Sequence, residues 1–211
     1  SEVDRLPRRP SSAARRGVEV HRRIELHNRG EVPLDDFDDD GYDTGPPDTE
    51  AAGVAPFEAF LESRFATSKP ILIEAPFDLR IRSATIRGRI DAIYSPEPTH
   101  WEIVDFKSGR PTTLPAAGVQ LEAYAVAAAE VPFTAQRPEL IDVTFAYLGG
   151  GLTTVSERAD SQWVDDARQH LSTLIDSIDG EIWDATPSTA CRHCDFARFC
   201  DPGTRWLASQ K

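Results

Sequence analysis

Residues 101–111, WEIVDFKSGRP, place an acid and a base two positions apart at the end of an apolar segment. The segment has the composition of a β-strand, and the Ser-Gly pair after it predicts a turn. Because side chains alternate along a strand, Asp105 and Lys107 point to the same face. Charges stay off buried strand faces unless they are paired or bind a metal. A surface ion pair on an edge strand is the simpler interpretation. The rest of the chain has to distinguish such an ion pair from a metal-binding site.

A second carboxylate is predicted to lie beside Asp105. The segment GRIDAIYS, residues 88–95, suits a neighbouring strand, and the turn-like link SPEPTH follows it. A hairpin here brings Asp91 and Asp105 close together on one face. Two adjacent carboxylates repel each other, and a hard divalent cation such as Mg²⁺ or Mn²⁺ relieves the repulsion. Lys107 could then orient a water or neutralise a developing oxyanion.

Periodicity along the rest of the chain predicts a mixed α/β domain with a small central sheet. The N-terminal helix covers residues 12–28 and has Val18, His21, Ile24 and Glu25 on one face. The further predicted elements are a short helix within 55–68 with Phe57, Phe60, Leu61 and Phe65 on one side, two strands over 71–95, a strand over 100–108, a helix over 116–131, a hairpin over 140–158, and a helix over 161–183 with Ser161 as its cap.

Length and charge set wide limits. The 211 residues suit one domain with elaborations, or two small domains. The net charge of -12 is uneven, because residues 31–50 carry nine acids and no Lys or Arg, whereas residues 1–30 carry eight Arg against four acids. A basic arm can contact phosphate while a solvated acidic insert lies elsewhere, so net charge does not exclude nucleic acid. No apolar run reaches the about 20 residues of a membrane span, and the N-terminus is not a signal peptide. We therefore expect a cytoplasmic protein with no membrane partner.

Four short motifs occur in a fixed order over residues 17–124. They are GVEVHRRIE with Gly17, His21 and Glu25; GRIDAI with Asp91; VDFKSG with Asp105 and Lys107; and QLEAY with Gln120 and Tyr124. Each motif alone is weak, but the ordered set is specific. In this set the chain resembles the RecB-like branch of the PD-(D/E)xK nuclease superfamily.

The resemblance implies a restriction-endonuclease-like core and a role for each motif residue. His21, Asp91 and Asp105 would bind the metal together with the backbone carbonyl of Phe106. Lys107 would assist the attacking water. Gln120 and Tyr124 would position the DNA backbone or support the lysine. The expected cofactor is Mg²⁺ or Mn²⁺, and a His ligand suits Mn²⁺ better.

The resemblance also divides the chain into four parts. These are an N-terminal helix with the His motif over 1–30, an acidic loop over 31–54, a nuclease core over 55–185 and a cysteine-rich tail over 186–211. The acidic loop is either a gate over the active site or a flexible spacer.

Several charged residues keep two interpretations. Glu25 is either a partner of His21 or a charge on the helix surface. Arg89 either contacts phosphate or pairs with an acid on its own sheet face. The same choice between phosphate contact and a solvated helix face applies to Arg15, Arg16, Arg22 and Arg23.

Three cysteines lie within ten residues, as CRHCDFARFC. Without an export signal, metal or cluster binding is favoured over disulfides. In RecB-like nucleases with an iron–sulfur cluster, such a trio joins a fourth, upstream cysteine to hold a [4Fe–4S] cluster. By that resemblance Cys191, Cys194 and Cys200 are cluster ligands, and we expect the fourth cysteine upstream of Ser1. Alternatively, His193 or an acid completes a Zn²⁺ site.

The sequence thus predicts a metal-dependent DNA nuclease that hydrolyses phosphodiester bonds. By resemblance, its partners are DNA that is single-stranded or has free ends, and a helicase domain or subunit in repair or recombination. The competing hypotheses are a catalytically silent DNA-binding module, a metal-cluster interaction module, and another metallohydrolase that uses the same acids. Cleavage polarity, endonuclease or exonuclease mode, and DNA or RNA preference stay open.

Overall fold

The structure, a computed structural model, describes residues 12–31, 55–111, 115–181, 184–194 and 196–210. Residues 32–54 of the predicted acidic loop lie outside these ranges. A five-stranded sheet forms the centre, with strands in the order β1-β2-β3-β4-β5. The elements are α1 (Ser12–Arg29), α2 (Pro56–Leu61), α3 (Arg64–Thr67), β1 (Leu72–Ile81), β2 (Ala84–Glu97), β3 (His100–Lys107), α4 (Pro115–Glu130), β4 (Leu140–Tyr147), β5 (Thr153–Ala159), α5 (Ser161–Asp179) and α6 (Asp201–Ser209).

Only one neighbouring pair of strands, β3 and β4, is parallel; the other three pairs are antiparallel. A parallel pair needs a crossover, and α4 supplies it. The predicted α/β class and the mixed sheet are therefore confirmed.

Helices cover the sheet on both faces and form two hydrophobic cores. On one face α4 and α5 pack against residues such as Ile90, Ile103 and Val143. Helix α4 is apolar nearly all round because it lies between the sheet and α5. On the other face α1, α2 and α3 pack against β2, β3 and β4. There Phe60 and Phe65 each meet the ring of Phe106 edge-on, with centroids 5.5 Å apart. Both sides of β3 are thus held rigidly, which fixes the backbone that carries Asp105.

The predicted helix within 55–68 is two short helices. Ser63 separates them: its hydroxyl donates to the Phe60 carbonyl at 2.6 Å and accepts from the Phe65 amide at 3.2 Å. This cap starts α3 in a new direction. As a result Phe60 and Phe65 are buried as predicted, whereas Leu61 is exposed.

Two details of the other helices also differ from prediction. In α1 the core contacts come from Val20 and Ile24, while Val18 is exposed on the side that carries His21. The cap of α5 is Asp160 rather than Ser161, because the Asp160 carboxylate accepts from the Trp163 amide at 2.8 Å. Within the described residues, no helix has the length and hydropathy needed to cross a membrane.

Candidate active site

The motif residues meet where β2 and β3 stop pairing. At this end of the antiparallel ladder the last pair is Ala92 with Val104. Asp91, which precedes Ala92, and Asp105, which follows Val104, lie just beyond that pair. The two carboxylates contact different helices. The Asp91 side chain turns toward α1, where its Oδ2 lies 3.3 Å from His21 Nδ1. The same oxygen accepts a hydrogen bond from the Phe106 amide at 2.8 Å. The hydrogen bond with Asp91 raises the pKa of His21, against the lowering effect of burial.

Glu74 completes this group and was missed by the sequence analysis. One donor atom each from His21, Glu74 and Asp91 lie within 4.8 Å of one another. Glu74 lies opposite Asp91, between the pairs Ile73–Ala92 and Ala75–Ile90. Its φ of 48° is a left-handed conformation that a residue with a side chain adopts at a cost. Burial, and next the charge of Asp91, raise the pKa of Glu74. The sequence does contain a signal for Glu74, because it is an acid within the apolar run ILIEAPF. Placing the hairpin turn at Arg82 sets Glu74 opposite Asp91.

Asp105 and Lys107 form a second cluster with two residues of α4. Lys107 Nζ lies 2.7 Å from Asp105 Oδ2 and donates to Gln120 Oε1 at 2.8 Å. The Gln120 amide nitrogen donates to Asp105 Oδ1 and to the Tyr124 hydroxyl, both at 2.7 Å. Tyr124 in turn donates to the Arg89 carbonyl at 3.0 Å. Gln120 and Tyr124 are one helical turn apart, so α4 presents both to the same strand end. Gln120 thus contacts both Lys107 and Asp105, whereas Tyr124 contacts Gln120, the Arg89 carbonyl and, at 3.3 Å, Asp105 Oδ1.

Asp105 carries a charge that the described protein compensates only in part. It is 2% exposed. Burial raises its pKa to about 6, with a further contribution from Asp91 and an opposing one from Lys107. Its Oδ2 is buried, and among the described residues the Lys107 ammonium lies beside it at 2.7 Å. Asp105 lies outside the group of His21, Glu74 and Asp91, but its pKa responds to two of them.

Two glycines keep this geometry in place. A Cβ on Gly88, the glycine of the GRIDAI motif, would lie 2.5 Å from the Phe77 ring. That ring packs edge-on against Tyr124, with centroids 5.9 Å apart. A Cβ on Gly149 would lie 2.6 Å from the Gly109 backbone, which forms the turn after Lys107. The motif glycine therefore allows the packing that positions Tyr124.

Some of the remaining predicted residues line the same cleft. This cleft of about 520 Å³ is bordered by Glu25 and Arg89 as well as by His21, Glu74 and Asp91. Glu25 pairs with Arg29 at 2.6 Å. Arg89 pairs with Glu74 at 3.4 Å. Of the α1 arginines, Arg22 pairs with Glu19 at 3.2 Å, Arg23 lies 4.1 Å over the Phe57 ring, and Arg15 and Arg16 are exposed.

The cysteine tail forms short turns ahead of α6. Backbone amides donate to sulfur at two places, Ser188 to Cys191 and Gly203 to Cys200, each at 3.4 Å. A Cβ on Gly203 would lie 3.3 Å from one sulfur and 3.6 Å from the other, so both thiols point at the same spot. Cys194 is exposed, and all three thiols are free of disulfides. The predicted ligand His193 has its side chain outside the described residues.

Comparison with known proteins identifies the family. The model of the PD-(D/E)XK nuclease superfamily matches residues 1–201, so the chain belongs to this superfamily of phosphodiester hydrolases. No curated protein matches the chain.

Two solved structures share parts of the architecture. A candidate exonuclease from Eubacterium rectale is 14% identical, with 89% of this chain and 76% of that chain covered and a TM-score of 0.49. The protein SSO0001 is 16% identical, with 62% of this chain and 59% of that chain covered and a TM-score of 0.35. The chain thus spans less than two thirds of the length of SSO0001. At these values neither likeness carries an argument about function.

Proposed function

We propose that this member of the PD-(D/E)XK nuclease superfamily is a metal-dependent deoxyribonuclease of the RecB-like type. The observation that supports the proposal most strongly is the position of Lys107. It is held between Asp105 and Gln120, and the charges of Asp91 and His21 in turn act on Asp105. An ammonium fixed next to clustered acids suits hydrolysis of an anionic diester, because it can act on the charge that develops during attack.

The residues fit a divalent metal ion. One imidazole and several carboxylates are the donors that Mn²⁺ and Mg²⁺ accept. The buried Oδ2 of Asp105 has the Lys107 ammonium beside it, yet the pKa values of Asp105 and Glu74 are both raised. A further cation would relieve the conditions that raise these pKa values. We assign His21, Asp91, Asp105 and the Phe106 carbonyl as its ligands, as the resemblance implies, and add Glu74. A bound metal would activate a water and polarise the phosphate.

The chain's own residues then have separate tasks. Lys107 contacts a non-bridging phosphate oxygen or orients the attacking water. Gln120 holds the ammonium by its Oε1 and the Asp105 carboxylate by its amide group, so it is a positioning residue. Tyr124 anchors Gln120 to the Arg89 backbone.

The test is cleavage of labelled single-stranded and double-stranded DNA with Mg²⁺ or Mn²⁺. Wild type is compared with Asp105→Asn and Lys107→Ala. Asp142→Asn and Lys69→Ala are the matched controls, because Asp142 lies near the opposite end of the sheet and Lys69 is exposed. The proposal expects metal-dependent cutting that the first two variants abolish and the controls retain.

Two results would contradict the proposal. A folded, metal-loaded wild type that binds DNA without cutting it would favour the catalytically silent module. Cutting that survives Asp105→Asn but fails when Cys191 is replaced would favour the metal-cluster module.

The cysteine tail is a separate part of the proposal. We assign Cys191, Cys194 and Cys200 as three ligands of a [4Fe–4S] cluster, with the fourth cysteine supplied by a longer chain, and Zn²⁺ as the alternative. Nuclease domains of this branch often lie at the end of helicase–nuclease chains of repair and recombination, or act alone in CRISPR spacer acquisition, and we propose the first context. Iron, sulfide and zinc analysis tests this part in an anaerobically purified chain that includes the fourth cysteine, and such a chain with none of the three would exclude it.

A further inference from the structure

The β1–β2 hairpin has an exposed polar face that extends away from the candidate active site and borders it at the Arg89 end. Along both strands side chains alternate, and one set packs on α4 and α5 through residues such as Phe77 and Leu79. The opposite set is the hairpin outer face, which we define by its residues Pro76, Asp78, Arg80, Thr85, Arg87 and Arg89. All six are exposed.

The hairpin outer face is positively charged in an acidic chain. It carries three arginines and one aspartate, while the whole chain has a net charge of -12. The Arg87 and Arg89 side chains are 79% and 63% exposed. Their ion pairs, with Asp78 and Glu74, are long at 3.4 Å each. The Arg80 side chain has no partner within the described part of the chain. Exposed pairs of this kind contribute little to stability, so the guanidiniums can exchange to another anion.

The face leads directly into the candidate active site. Arg89 precedes Asp91 by two residues and borders the same cleft. Two residues of a strand advance about 7 Å, so Arg87 and then the Arg80–Thr85 pair continue the line at about 7 Å intervals. The tip is fixed against α5, where Arg82 pairs with Asp176 at 3.4 Å and Ser83 donates to Asp179 at 2.8 Å. A strand ladder anchored at both ends presents these arginines at nearly constant positions.

We propose that the hairpin outer face binds the phosphate backbone of a single nucleic-acid strand and guides it into the active site. The inference rests on the proposed function, because the strand is the substrate of that site. Phosphodiesters fit the face because arginine forks match phosphate oxygens. The face is also mostly polar and lacks the aromatic anchors that protein partners use.

The test measures binding rather than cleavage, in EDTA, by fluorescence anisotropy of a labelled single-stranded oligonucleotide that is long enough to span the hairpin. The variant Arg80→Gln/Arg87→Gln keeps the side-chain stems and leaves the proposed metal ligands and Lys107 intact. Each lost phosphate contact lowers the slope of log K against log salt by about 0.7 for single strands, so the double variant should lose about 1.4. Arg137→Gln/Arg158→Gln is the matched control, because it also removes two arginine charges and both residues lie near the opposite end of the sheet.

Hydrolysis of bis(p-nitrophenyl) phosphate separates this inference from the proposed function, because the molecule is too short to reach Arg87. Wild type and the double variant should hydrolyse it equally in Mn²⁺. A wild type that binds DNA through the two arginines but hydrolyses neither substrate would support the surface and reject the nuclease. An unchanged salt slope in the double variant, or no binding by wild type, would overturn the inference even if cleavage is observed.

Discussion

Glu102 and Asp105 lie three residues apart in β3, and both carboxylates are almost inaccessible, at 7% and 2% exposure. Their surroundings differ. Arg64 donates to both oxygens of Glu102, at 2.7 and 2.5 Å, and Thr144 adds a third bond at 3.1 Å. Asp105 has the Lys107 ammonium 2.7 Å from its Oδ2 and the Gln120 amide nitrogen 2.7 Å from its Oδ1, but burial and the charge of Asp91 still raise its pKa. Glu102 is a satisfied structural group, whereas Asp105 keeps a charge available for another cation.

The largest effect expected from this difference is on catalysis. Asp105→Asn should lower the rate of DNA cleavage by about 10²–10⁴-fold, the range for removal of one electrostatic or acid–base group. Glu102→Gln should retain the turnover of wild type, because its contacts are with α3 and β4. Single-turnover cleavage by both folded variants gives the comparison. Equal losses in the two variants would remove the distinction between the two acids.

The next largest effect is on metal binding, which should distinguish the acids of the candidate site from Glu102. Saturating Mn²⁺ should raise the unfolding free energy of wild type by about 2.7 kcal/mol at a hundred times the Kd. Glu74→Gln should lose most of this gain, because it removes one of three close donors. Glu102→Gln should keep the gain. Thermal unfolding with and without the metal measures both, and a full gain in Glu74→Gln would exclude Glu74 as a ligand.

In the absence of metal, replacing Glu102 should lower the unfolding free energy more than replacing Asp105 does. Glu102→Gln leaves the Arg64 guanidinium with fewer bonds, but Arg64 is 54% exposed and can be hydrated. We therefore expect a loss of about 1–2 kcal/mol, below the full value for a broken buried pair. Urea unfolding measures it. A loss near zero would show that the ion pair of Glu102 with Arg64 does not stabilise the fold.

Sequence periodicity predicted most of the elements, and the ordered motifs, through the family resemblance, named most of the candidate site residues. Strand alternation placed Asp105 and Lys107 together, and helical spacing placed Gln120 with Tyr124. The helix break at Ser63 was missed because capping by one hydroxyl does not alter the apolar pattern of the segment. Glu74 was missed because its role depends on hairpin register and on a local φ of 48°, and neither is encoded in a short motif. The ion pair of Arg64 with Glu102 joins residues 38 positions apart, and no periodicity reports such a contact.

The smallest effect is a pH dependence whose sign differs between Asp105 and a third acid of the sheet, Asp142. The pKa of Asp105 is raised to about 6, so in metal-free protein its contribution to stability falls as the pH rises from about 4 to 6. For Asp142, burial acts upward on the pKa, but the hydrogen bonds from Arg158 and His100 outweigh it and lower the pKa. Its contribution is therefore present above its unfolded value of about 4 and is lost as the pH falls through the lower folded value.

Replacing either acid should remove the pH dependence of stability that this acid causes. Asp142→Asn should cost under about 1 kcal/mol at neutral pH, because Arg158 is exposed and solvent screens the pair. It should also flatten the stability curve only below about pH 4. Asp105→Asn should flatten the curve between about 4 and 6 instead. Urea unfolding of metal-free protein across this range measures both curves. If wild type and Asp105→Asn have parallel curves there, the Asp105 carboxylate is already compensated within the protein, and the main reason to place a cation beside it disappears.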